Sequence, residues 1–390
     1  MIPLNNTQTA FRHKSDKELR LSRFLFSSMR SPFISGIGKW LMNVTLSGSL
    51  PVKGLIRSTI FKQFCGGENL KECLDFTDEM HRYGVLSYIT YAAEGKENNE
   101  EFEKSVQELV KTIGGISGSS AIPFSVFKVT SMASYDMLEK VSANAPLSQA
   151  EEEEWTNIIA RVDRVCEAAL KSGKPINIDA EESWIQPALD NVVEIMMKKY
   201  NRERTVVFNT FQMYRKDRLD FLKSSYAKAQ EEGYFFGAKL VRGAYMEKER
   251  ARAGQLGIPS PVHETKADTD ASYDAGIVFC LEHLEKNFLV AGTHNMDSVH
   301  KLAGHMEKLG LAHNDPRIYT AQLLGMSDNI TFNMAHAGYL AVKYVPFGPI
   351  RDVIPYLLRR ANENAAIQNQ TGRELSLIKE EISRRKKQRA

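Results

Sequence analysis

The stretch YFFGAKLVRGAY (residues 234–245) is an apolar run that stops on an arginine, a glycine and a tyrosine. A run this short, bounded by turn formers, reads as a buried strand with chemistry at its exit. Its meaning depends on how often it recurs. Comparable runs stand at GVLSYITYAAE (84–94), PFSVFKVTS (123–131), PINIDAEES (175–183), TVVFNTFQMY (205–214), NFLVAGTHN (287–295), RIYTAQLLG (317–325) and AVKYVPFG (341–348). Between them lie helical patterns at 152–171, 215–232, 268–286 and 297–309. Eight strands alternating with helices over about 290 residues match the count and size of a (β/α)8 barrel. A doubly wound sheet is the alternative, and it is weakened because no GxGxxG follows any of the runs. The expected organisation is an N-terminal helical arm over 1–75, an α/β TIM-like barrel over 76–370, and a solvated basic tail over 371–390.

In such a barrel, chemistry belongs at the C-terminal ends of the strands. Those ends carry Glu94, Lys128, Asp179 with Glu181, Gln212, Arg242 with Tyr245, Thr293–His294–Asn295, Gln322 and Tyr344. A lysine after one apolar run is ordinarily a rim residue. A polar group at nearly every exit is more than stability requires. His294 has no partner at metal-ligand spacing, and no Ser or Cys sits in a GxSxG elbow, so metal hydrolysis and a nucleophile elbow are both disfavoured. The cations and amides that remain (Gln212, Lys239, Arg242, Lys266, His294) suit a large polar cofactor.

The totals set limits. The formal charge of +3 conceals basic ends: residues 1–63 carry +8 and 371–390 carry +4, leaving about −9 between. Such ends suggest contact with an anionic surface. No apolar run is long enough to span a membrane, and the opening MIPLNNTQTAFRHK is not a secretory signal. Cys65, Cys73, Cys166 and Cys280 lack CxxC or zinc spacing, which suggests reduced structural thiols in a cytoplasmic-type compartment.

A final stretch, PYLLRRANEN (355–364), is expected to be a short helix following its proline. It places Tyr356, Arg359, Arg360 and Glu363 on one stripe. By itself the stripe reads as the wet side of an amphipathic helix. Its rival reading is a grip on a carboxylate, which two adjacent guanidinium forks suit.

The ordered motifs NIDAEES, KLVRGAYMEKER, HETKADTDASY, GTHN, QLLGM, YVPFGP and YLLRRANEN, spread over about residues 80–366, resemble the proline dehydrogenase family. The resemblance implies a distorted (β/α)8 barrel whose last helix lies over the barrel mouth, with FAD as cofactor. It implies that Arg359 and Arg360, helped by Lys128, bind the carboxylate of proline. Tyr344, Tyr356, Tyr245 and a leucine of QLLGM (Leu323 or Leu324) would enclose the ring, with Asp179 beside the substrate cations. Gln212, Lys239, Val241, Gly243, Ala244, Tyr245, Lys266, Thr293, His294, Asn295 and Glu363 match cofactor-contacting positions, and Glu94 matches a gate residue. Lys239 stands where some relatives have Arg and Met246 where some have Trp, and residues 131–155 form an insertion.

The expectation is therefore a monofunctional enzyme. It would oxidise L-proline to Δ1-pyrroline-5-carboxylate and pass electrons to a membrane quinone, with peripheral lipid contact through its basic ends and no nucleic acid partner. Its place would be the cytoplasm or an inner membrane surface, the matrix side if mitochondrial. Alternatives are a hydroxyproline dehydrogenase, which Tyr344 should exclude by crowding a ring hydroxyl, a Schiff-base aldolase using Lys128 or Lys239, and a barrel that only binds a small acid.

Overall fold

The structure, a computed structural model, describes residues 2–28, 53–92, 98–366 and 368–389, without the side chains of residues 53 and 361–371. Glu94 and residues 29–52 of the basic N-terminal arm lie outside the described residues, as does the side chain of Glu363.

Each of the eight expected runs contains a strand: β1 Leu86–Tyr91, β2 Ser125–Phe127, β3 Ile176–Ile178, β4 Val207–Gln212, β5 Phe236–Val241, β6 Asn287–Gly292, β7 Ile318–Leu323 and β8 Ala341–Phe347. They form one parallel sheet in the order β1-β8-β7-β6-β5-β4-β3-β2, with helices between successive strands. The strands are nearly continuous apolar runs because helices cover a parallel sheet from outside and the interior is filled by side chains.

The chain divides into two compact units, one of residues 95–321 and one of 1–94 with 322–390; β7 crosses the division. Within the first unit the sheet curls on itself. Phe124, just before β2, lies edge-on to Tyr319 of β7 with ring centroids 5.2 Å apart, although four strands lie between β2 and β7 in the sheet. Phe208 of β4 and Phe288 of β6 complete this aromatic layer at 5.0 Å from each other. Side chains from strands far apart in the sheet meet in one plane only when the sheet closes, so this is a barrel layer at the N-terminal ends of the strands. The insertion is ordered: it forms the helix Tyr135–Ser142 and leads through a Ser148–Glu151 capping box into the helix Gln149–Ser172.

In the second unit β1 pairs with β8, and the helix Ile350–Ala366 packs into a cluster with the arm. This helix starts five residues before Pro355, not after it. The expected solvated tail is also helical. The helix Gln368–Lys387 buries Leu375, Leu377 and Ile378 against Phe11, Leu19 and Phe26 of the arm, and Arg385 donates to Asp16 at 3.0 Å and to the carbonyl of Phe11 at 2.9 Å. Apolar residues at i, i+2 and i+3 among the basic ones give this helix a buried face that composition alone conceals.

Candidate active site

In the unit of residues 95–321, the exits of β2 to β6 bring most of the expected residues together. Lys128 follows β2 directly and donates to the Tyr245 hydroxyl at 3.0 Å, while Asp179 follows β3. Lys239, buried on β5, donates to Asn177 at 3.0 Å and forms an ion pair with Asp179. The partner of Asp179 is therefore a lysine of the protein interior. Two charges desolvated together hold each other in one geometry more than they stabilise the fold.

Gln212 is a strut. Its amide nitrogen donates to the Glu181 carbonyl at 2.7 Å and its oxygen accepts from the Ala244 amide at 3.2 Å, fixing the β5 exit to the β3 exit. Glu181 itself is buried, and burial raises its carboxyl; Lys128 and hydrogen bonds from the Thr130 hydroxyl and amide oppose that rise. Arg242 is likewise committed. It donates to Asp270 at 2.6 Å, to Thr293 Oγ1 at 2.6 Å and to Ser298 at 2.9 Å, with its guanidinium 4.4 Å from the Tyr273 ring. Thr293 Oγ1 also accepts from the Asn295 amide at 3.0 Å, and Asn295 caps the helix Met296–Lys308. Lys266 is exposed and pairs with Asp270.

What stays open at this edge is largely backbone. Gly243 and Ala244 are exposed, and Val241, Tyr245, His294 and Asn295 are half-buried. Gly243 has φ +140, and a Cβ there would lie 2.4 Å from the Tyr214 ring. Only glycine takes this conformation without strain and leaves the backbone approachable. A flat exposed backbone turn, a buried cation in Lys239 and hydroxyl and imidazole groups from Thr293 and His294 are chemistry that fits a flavin dinucleotide.

The other unit carries the remaining candidates. On the helix Ile350–Ala366, Tyr356 and Arg360 are buried, at 6% and 7% exposure, and Arg359 is half-buried. Tyr356 and Arg360 therefore face protein, against the solvent-face reading. The Tyr356 ring lies 6.3 Å from the Tyr344 ring of β8, and the Arg360 guanidinium lies 5.3 Å from the Tyr356 ring. Tyr88 of β1 stands edge-on to Tyr344 at 5.1 Å. Leu323, the last residue of β7, is half-buried and packs against the same apolar cluster as Tyr344, whereas Leu324 is buried and spends its amide on the Tyr344 carbonyl at 3.0 Å. Sequence reading missed Asn177, Asp270 and Tyr273, whose partners are 28 to 62 residues away or on another strand. No group of His, Cys, Asp and Glu among the described residues could hold a metal ion.

Comparisons with known proteins point to one family. The model of the proline dehydrogenase family matches residues 73–373. The carbapenem antibiotics biosynthesis protein CarD of Pectobacterium carotovorum subsp. carotovorum is 33% identical over 333 residues, 85% of this chain and 86% of that one. Proline dehydrogenase 1, mitochondrial, of Homo sapiens is 41% identical over 241 residues, 61% of this chain but 40% of the human protein. The Dictyostelium discoideum protein of the same name is 30% identical over 97% of this chain and 74% of its own. Among solved structures, proline utilization A of Bdellovibrio bacteriovorus has the same fold over 80% of this chain and 34% of that one, with a TM-score of 0.71 at 21% identity. With the family model covering three-quarters of the sequence, the chain belongs to the proline dehydrogenase family.

Proposed function

We propose that this chain oxidises L-proline to Δ1-pyrroline-5-carboxylate with FAD as its cofactor, passing the electrons on to a quinone. Membership of the family supports an oxidoreductase acting on proline. The observation that carries the reading is the burial of Tyr356 and Arg360 beside Tyr344: an arginine pair on the solvent face could not grip a substrate. Arg359 and Arg360 bind the carboxylate through charge-assisted hydrogen bonds. Tyr344, Tyr356 and Leu323 enclose the ring, and the half-open side chain of Leu323 favours it over Leu324. Lys128, which donates to the Tyr245 hydroxyl, is assigned as a further cation for the substrate, and Asp179 orients Lys239.

Val241, Gly243, Ala244, Lys266, Thr293, His294 and Asn295 would hold FAD, with Gln212 bracing the turn, and the bound flavin would supply the electron sink. In the reaction the C–H bond beside the ring nitrogen breaks with its electron pair leaving as hydride, the nitrogen loses a proton, and a C=N bond forms. The aldolase alternative is weakened because Lys239 is ion-paired with Asp179 and Lys128 is bound to Tyr245, whereas a Schiff-base lysine needs surroundings that disfavour its charge. The hydroxyproline alternative is disfavoured by the bulk of Tyr344 packed between Tyr88 and Tyr356. No helix among the described residues is long and apolar enough to cross a membrane, so contact with a lipid-borne quinone is peripheral in this reading.

The test is purification followed by an absorbance spectrum and assay of proline oxidation with a soluble quinone. A flavin spectrum bleached by proline is expected. Arg359→Met and Arg360→Met should each lower kcat/KM for proline by at least about 10²-fold, since losing one partner of a buried charge pair costs on the order of 3 kcal/mol. Wild-type kinetics in both variants would return the stripe to a packing role.

A further inference from the structure

The turn after β7, Leu323 to Ser327, is held far more firmly than a surface connection requires. Gly325 has φ +77, and a Cβ there would lie 2.2 Å from the Gln63 carbonyl. Ser327, fully buried, has φ +51, a left-handed conformation that a non-glycine residue keeps only where its surroundings over-determine it. Those surroundings come from four distant parts of the chain. Gln63 donates to the Gly325 carbonyl at 2.9 Å and is itself bound by Ser22. Lys343, beside Tyr344 on β8, donates to the Met326 carbonyl at 2.6 Å and to the Leu323 carbonyl at 3.4 Å. Glu374 of the last helix accepts the Ser327 amide at 2.6 Å. Asp328 then joins Lys343 at 2.8 Å to Lys14 of the arm at 2.9 Å. Asn329 donates to the Leu4 carbonyl at 3.0 Å.

Lys343, Asp328 and Glu374 are almost sealed from water. Buried ion pairs stabilise a fold little more than well-packed apolar groups of the same volume, so their benefit has to be sought in the geometry they impose. That geometry belongs to Leu323, whose carbonyl Lys343 holds, and to Tyr344, whose carbonyl accepts the Leu324 amide at 3.0 Å. We infer that Lys343, Asp328, Lys14 and Glu374 form a positioning hub that sets Leu323 and Tyr344 for substrate. Through it the arm and the last helix shape substrate recognition without touching the substrate. The inference rests on the proposed role of Leu323 and Tyr344 at the proline ring.

Lys14 is the member to change first, because its side chain lies at the edge of the hub and its loss leaves the Lys343–Asp328 pair in place. In the full-length, flavin-loaded protein, Lys14→Ala should raise KM for proline about tenfold with kcat within about twofold, the signature of altered substrate placement. Hydrogen exchange at the amides of residues 324–329 should quicken in the same variant, and Lys14→Arg should restore both measurements. Glu374→Gln, which keeps an acceptor for the Ser327 amide, should lie between wild type and Lys14→Ala. A lowered melting temperature with unchanged KM and unchanged exchange in the turn would overturn the hub and leave ordinary packing. Exchange is read without substrate, so a wild-type protein that fails to oxidise proline would refute the proposed function while the exchange comparison still judges the hub.

Discussion

His13 shows at the scale of one residue how the interior treats ionisable groups. Its ring stacks on Phe332 at 3.9 Å, and Asp328, Lys14, Lys343 and Glu18 face it. Burial lowers its pKa to about 3, with the two lysines assisting and the two carboxylates opposing. The folded value lies below the unfolded 6.5, so the unfolded chain binds the extra proton first. This contribution to stability is complete above about pH 6.5 and falls as pH drops towards 3, by at most about 1.4 kcal/mol per unit. His13→Phe keeps the stack and removes the titration. Its melting temperature should decline less than that of wild type between about pH 7 and 5, before most carboxylates titrate. Parallel curves would show that His13 takes no part in acid sensitivity. None of this was legible in the sequence, because His13 and Asp328 are 315 positions apart. Lys128 and Asp179 could be picked out because each directly follows a strand. Their partners depend on which strand exits meet across the closed barrel, and no spacing records that.

At the scale of elements, alternation announced the strands. Each is shorter than its run because the ladder ends where the backbone turns towards the polar exit residue, as at Lys128 after β2 and Arg242 after β5. The helix around Pro355 was misplaced at its start for a specific reason. A proline inside a helix removes one bond and crowds the preceding turn, yet the apolar face of Ile350, Val353, Ile354 and Leu357 buries enough surface to carry the helix through. The RGAY turn was legible as a glycine at a strand exit, and the structure adds what that glycine lies against, the Tyr214 ring. Gly243→Ala must place a methyl against the Tyr214 ring in a conformation alanine avoids, at roughly 1–3 kcal/mol. Because the turn is exposed and outside the barrel core, the expected result is purified protein with unchanged far-ultraviolet circular dichroism and a lowered flavin-to-protein absorbance ratio. Full flavin occupancy in that variant would remove the turn from the cofactor site.

The whole chain is nearly neutral, but its charge is not spread evenly, and the structure gathers both basic ends into one compact unit. Arg385 and Arg389 of the last helix engage Asp16 of the arm, and Glu381 neutralises Arg384 and Arg385. Part of the positive charge is therefore spent inside the protein, and the reading of a solvated tail overestimated what it offers a partner. Lys17, Arg20 and Arg23 remain exposed on the helix Asp16–Ser28, with Phe24 beside them at 63% exposure. Cations around an exposed aromatic ring are the elements of weak binding to a lipid surface, about 1 kcal/mol for each basic residue near anionic headgroups. The proposed quinone acceptor would make such contact useful. Sedimentation with vesicles containing anionic lipid should therefore recover the protein at low salt and release it as salt rises, while neutral vesicles recover little. Arg20→Glu with Arg23→Glu should weaken recovery and leave proline oxidation with a soluble acceptor intact, because both side chains point to solvent. Recovery that ignores salt and lipid charge would refute electrostatic attachment, and equal recovery of the double variant would move the contact away from this helix.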